Sequence, residues 1–175
     1  TSIDWLADHG AILLQIAASG VMSGDRAYID RWLPSILAAC DFIKDMSAVT
    51  DHDGIKGLLP PAVASDDWIE TQAVWNIAWN YKGMAEAVKL LKMIGHPRAQ
   101  EFADFNDRTR EIFRRAYREL AEKGDRWTDS EGRSRYLPPT TLSSTKMPYH
   151  AFSEAFYLDT GPLVLVWAGL MDADD

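Results

Sequence analysis

Cysteine is almost missing from this sequence. Cys40 stands alone, which excludes an intrachain disulfide and any zinc site built on cysteine pairs. It lies among Ala38, Ala39 and Phe42, the setting of a small buried hydrophobe rather than a nucleophile. That count leaves the compartment, cytoplasmic or secreted, open. Positive charge is scarce too: 18 Lys and Arg stand against 26 Asp and Glu, for a net charge of -8. With no basic face, the chain is not expected to bind nucleic acid, and a plain acidic surface is the simplest reading of the charge. Long apolar runs are absent as well. The most apolar stretch, residues 163–170, falls well short of the ~20 residues needed to cross a bilayer, and no leader pattern opens the chain, so no membrane partner is expected. The four histidines, His9, His52, His96 and His150, show no HExxH or similar spacing, so no metal is expected. GxSxG, P-loop and GxGxxG motifs are also lacking, and no cofactor is expected.

What is present is helical periodicity. Residues 3–18 place Trp5, Leu6, Ile12, Leu13 and Ile16 at helical spacing, and residues 19–24 break it. Asp25 suits the N-cap of a second helix, in which Pro34 predicts a kink. Residues 47–64 read as a long loop punctuated by Gly54, Gly57, Pro60 and Pro61. Ser65 then caps a third helix reaching Ile94, with Asp66 and Asp67 in its first turn and Gly95 as its left-handed end. Pro97 opens a fourth helix that Gly124 closes. Residues 125–149 form a second long loop, and a last helical segment covers residues 150–171, interrupted near Gly161-Pro162. Leu163 to Trp167 also fits a strand by periodicity. With no second strand expected to pair with it, a buried helix is assigned.

The fold expected is all-α: antiparallel helical hairpins in which short and long connections alternate. The fourth helix has one apolar stripe and a charged back, whereas the third is apolar nearly all round and must be covered on several sides. Inner and outer layers follow, with both long loops at one working rim. Residues 1–175 are read as a single helical domain or part of one. The pattern is already helical at the first residue and stops just after an apolar segment, so both ends are expected to continue into something larger.

The third helix carries the most informative stripe. Trp68, Gln72, Trp75 and Trp79 follow i, i+4, i+7, i+11 and are expected on one face, with Asn76 and Asn80 beside it. Aromatic faces next to amides and carboxylates suit a sugar, whose C–H faces stack while its hydroxyls hydrogen-bond. The alternative is that these tryptophans fill a helical core with their N–H groups satisfied locally. A glycosidase needs two carboxyl groups roughly 5–9.5 Å apart. Asp67 is the first candidate and Glu154 the second, with Glu70 behind it; Asp66 and His150 are further substrate contacts. Tyr149 and His150 would instead serve as the acid/base pair of a polysaccharide lyase.

Several motifs together resemble a known group. Gly57-Leu58-Leu59-Pro60-Pro61, Ser65-Asp66-Asp67-Trp68, Trp75-Asn76-Ile77-Ala78-Trp79 and Gly83 resemble the six-hairpin glycosidase superfamily, which includes glucoamylase-like, trehalase-like and α-L-rhamnosidase-like catalytic domains. Ser23-Gly24-Asp25 and Gly95-His96-Pro97 with Ala99 are similar to the short turns of those barrels. Asp67-Trp68 is similar to a substrate-side motif of the rhamnosidase-like members. The resemblance implies an (α/α)6 toroid with a sugar site on the rim that bears the long loops, formed here by residues 47–65 and 125–150. This chain offers about five of the twelve helices and lacks the Asp…Arg-Asp-Glu signature of the rhamnosidase-like members. The expectation is therefore a fragment of a glycoside hydrolase with an oligosaccharide or glycoside as its substrate. Self-association, or the rest of the same polypeptide, would cover its open face. The rivals are a lyase on a related toroid and a non-catalytic interaction scaffold.

Overall fold

The computed structural model describes residues 6–64, 70–136, 138–142 and 162–172. The described chain is mainly helical, with two pairs of short strands. Helix α1 (Ala7–Ser23) ends on Gly24 in the left-handed conformation, whose N–H returns to the Gly20 carbonyl at 3.0 Å. The break expected at residues 19–24 is therefore too early. Gly20 lies inside the helix, where a Cβ would come within 3.2 Å of the Leu90 side chain, so it is a packing residue and not a stop. Helix α2 (Arg26–Ala48) starts where Asp25 caps it: Asp25 Oδ1 accepts from the N–H groups of Ala27 and Tyr28 at 2.9 and 3.2 Å. The helix continues through Pro34.

The third helix differs most from expectation. Strand β1 (Ala62–Val63) pairs antiparallel with β2 (Glu70–Thr71), and α3 (Val74–Met93) begins only after them. Gln72 therefore precedes the helix; of the expected four-residue stripe, Trp75 and Trp79 lie on α3, and Trp68 lies outside the described residues. Backbone pairing of residues 70 and 71 has prevailed over the helical spacing of their side chains. The other end of α3 follows expectation. Gly95 adopts φ +67, and the N–H groups of Gly95 and His96 return to Lys92 and Leu91 at 3.1 and 2.8 Å, the two bonds of a Schellman end.

Helix α4 (Ala99–Lys123) has Arg98 at its N-cap, so Pro97 sits one step outside the first turn rather than in it. A second correction lies in the loop expected after residue 124. Strands β3 (Arg126–Thr128) and β4 (Ser134–Tyr136) form an antiparallel hairpin there. Asp129 turns it: its Oδ1 accepts from the N–H groups of Glu131 and Arg133 at 3.0 and 2.8 Å, and Gly132 adopts φ +77. Helix α5 (Pro162–Ala168) settles the ambiguous apolar run as helix.

Helix α3 is the hub, packing against α1, α2, α4 and α5. Its C-terminal half joins Leu13, Ile29, Ile36 and Phe102 in one core, and its N-terminal half joins Leu58, Phe113, Leu165 and Leu170 in a second. Coverage on several sides is what a helix of that composition requires. The α1–α3 crossing is close enough for backbone to meet backbone. A Cβ on Gly10 would overlap the Trp79 carbonyl and the Asn80 nitrogen, and one on Gly83 would overlap the Gly10 carbonyl.

Candidate functional site

The N-terminal end of α3 is where both long connections meet. The link is Gln72, which is 1% exposed. Its side-chain Oε1 accepts from the Ile55 N–H at 2.7 Å, while Nε2 donates to the carbonyls of Ile55 and Leu59 at 2.9 and 2.8 Å. Its backbone carbonyl accepts from the Leu142 N–H at 2.8 Å and the Thr141 hydroxyl at 3.3 Å. The Val74 N–H then donates to Thr140 O at 3.0 Å. One residue thus holds residues 55–59 on one side and 141–142 on the other. Gly54 leaves the space this needs, since a Cβ there would come within 2.7 Å of Gln72 Oε1.

Asn76 and Asn80 follow on α3, each 2% exposed. Asn76 Nδ2 donates to Val63 O at 3.2 Å, and Asn80 Nδ2 donates to Leu6 O and Asn76 O, both at 2.8 Å. The amide protons of Asn80 therefore brace the fold rather than meet an outside hydroxyl. The carbonyl oxygen of Asn76 is different. It is buried and finds no partner among the described residues, and the same holds for the indole N–H of Trp79.

Around these groups lies a tryptophan cluster. Trp75 and Trp79 meet edge to face with ring centroids 5.5 Å apart, and Trp79 meets Trp167 of α5 at 4.7 Å. Trp75 and Trp79 are half-buried, and Trp167 is 45% exposed. Lys82 Nζ lies 5.8 Å from the centroid of the Trp167 ring. Periodicity along one helix could not have found Trp167, because it reaches the cluster from another element. The signal available was composition: a tryptophan in a segment whose apolar residues run all round must find an aromatic or apolar neighbour.

Asp66, Asp67, Trp68, Tyr149, His150 and Glu154 lie outside the described residues. Glu70 lies exposed on β2. The remaining histidines serve local structure. His52 Nδ1 accepts from the Gly54 N–H at 3.0 Å, His96 Nδ1 accepts from the Arg98 N–H at 3.2 Å, and His9 packs on Phe42 with centroids 4.3 Å apart. No group of three or more His, Cys, Asp or Glu among the described residues is arranged to hold a metal. Away from the tryptophans, an open cleft of about 360 Å³ lies between α4 and the β3–β4 hairpin, lined by Tyr117, Arg118, Glu122, Arg135, Tyr136 and Met171. It contains none of the expected site residues.

Comparison of the chain with protein-family models, with curated proteins and with solved structures gives no match.

Proposed function

We propose that this chain is the part of a glycoside hydrolase that carries one wall of its sugar site, on a helical scaffold of the six-hairpin, inner-and-outer-layer kind. The carrying observation is the Trp75–Trp79–Trp167 cluster at the end of α3 where the two long connections converge. Partly exposed indole faces offer flat apolar surface against which the C–H faces of a pyranose can pack. Asn76 Oδ1 and Trp79 Nε1, three residues apart on the same helix, are a buried acceptor and a buried donor with no partner among the described residues.

In this reading Asp67, beside Trp68 in sequence, is the first catalytic carboxylate, and Glu154 is the second member of the pair. Trp68 extends the aromatic platform, while Asp66 and His150 contact hydroxyls. The proposal is tested by reducing-end release from a panel of gluco-, galacto- and rhamno-oligosaccharides. Hydrolysis that falls at least about a hundredfold in Asp67→Asn, with the fold intact, is expected of a residue acting in the transition state. Equal rates in parent and variant would contradict the role of Asp67.

One observation favours a second reading. Leu163, Val166 and Trp167 share a face of α5 and are 76%, 49% and 45% exposed. An apolar patch of that kind suits a protein-interaction scaffold. The two readings separate on whether Trp167→Ala weakens sugar binding or only association between proteins.

A further inference from the structure

Gln72 has a role that its place in a tryptophan stripe would not suggest. Its side chain is committed entirely to residues 55 and 59, and its main chain to residues 141 and 142. A buried carboxamide with all three of these bonds made is costly to disturb, since each partner left unpaired costs about 1–3 kcal/mol. The two bonded segments are far apart in sequence, and Gln72 bonds to both. Its neighbours add to the tie: Thr71 pairs with Ala62, Ala73 bridges Thr141, and Asn76 Nδ2 reaches Val63 O.

We propose that Gln72 is the positioning residue of the α3 rim, coupling residues 54–59 and 140–142 into one unit that opens and closes together. The consequence for a ligand is that binding to either segment orders both. What that coupling serves rests on the sugar-site reading above; the coupling itself does not.

The two ends of the link carry separate reporters. The Ile55 N–H is held by the Gln72 side chain, whereas the Leu142 N–H is held by the Gln72 backbone carbonyl, which no substitution removes. Amide hydrogen exchange of the full chain, without ligand, is compared between the parent and Gln72→Met, which keeps the volume and deletes the bonds. Exchange faster by about tenfold or more is expected at both Ile55 and Leu142, with Leu90 and Leu91 in the other core within about twofold of the parent. Faster exchange at Ile55 with Leu142 unchanged would overturn the coupling. Should the variant fail to fold, the parent chain decides through its exchange in low urea. One shared opening with one urea dependence at the two amides is expected, and separate openings would overturn the proposal. Repeating the measurement with the oligosaccharide panel separates the two claims. Coupled amides that no sugar protects would count against the sugar site and leave the coupling standing.

Discussion

Gly83 and Gly24 show how differently two glycines can matter. At Gly83 the missing Cβ is what lets α3 touch the α1 backbone, because an added carbon would overlap the Gly10 carbonyl. Backbone cannot swing aside as a side chain does, so Gly83→Ala is expected to lower stability by about 1–3 kcal/mol or more, read from the urea midpoint. Gly24 has open space around it but sits at φ +62. Gly24→Ala is expected to cost only about 1 kcal/mol, through the left-handed backbone alone. The reverse order would show that the helix crossing is looser than described. Cys40 gives a third residue-scale prediction. Burial, with a smaller contribution from Asp41, pushes its thiol up to about 12. At pH 8 the native thiol is expected to be inert to an aromatic disulfide reagent and to react only as fast as the chain unfolds. Rapid labelling of the folded protein would contradict that.

Between elements, α2 and α4 are joined by a charged network. Arg98 reaches Asp41 in a two-pronged pair at 2.8 and 2.6 Å and Glu101 at 2.7 Å, Lys44 also pairs with Glu101, and the Arg98 guanidinium lies 4.4 Å from the centroid of the Phe102 ring. Hydrogen bonds from Arg98 and Lys44 hold Glu101 down to about 2 from its ordinary 4.5, and Arg98 likewise lowers Asp41. Both carboxylates are depressed in the folded state. Their contribution is therefore present above the unfolded values and lost as pH falls through the folded ones. The urea midpoint is expected to decline between about pH 4.5 and 2, less steeply in Arg98→Gln and less steeply in high salt. Identical acid limbs in parent and variant would refute the assignment. The elements themselves were legible in the sequence to different degrees. Asp25, Gly24 and Gly95 mark helix ends through local chemistry, and the structure uses them as ends. Pairing of residues 62–63 with 70–71 joins segments separated in sequence, and no local period reports it. The β3–β4 hairpin did leave a signal: Asp129 and Gly132 form a short Gly-containing turn between two short runs that each carry an aromatic residue, Trp127 and Tyr136.

Across the whole molecule, α3 organises the rest. Its all-round apolar surface was legible from composition, and the structure packs four helices against it while leaving Trp75 and Trp79 half-buried. The site was legible only in part. Helical spacing put Trp75 and Trp79 on one helix, where the structure also has them. Gln72 read as a member of the tryptophan stripe and Asn80 as part of its polar flank, yet their amides hold backbone carbonyls of distant segments. Amide side chains look alike in sequence whether they serve a ligand or the chain, and only the three-dimensional partners distinguish them. The central claim, that the tryptophan cluster is a sugar-binding surface, is tested most directly by titration calorimetry. The gluco-, galacto- and rhamno-oligosaccharide panel is titrated into the parent and into Trp75→Ala. Heat of binding for at least one sugar, with affinity reduced about tenfold or more in the variant, is the expected result. No heat with any sugar, or equal affinity in parent and variant, would contradict it.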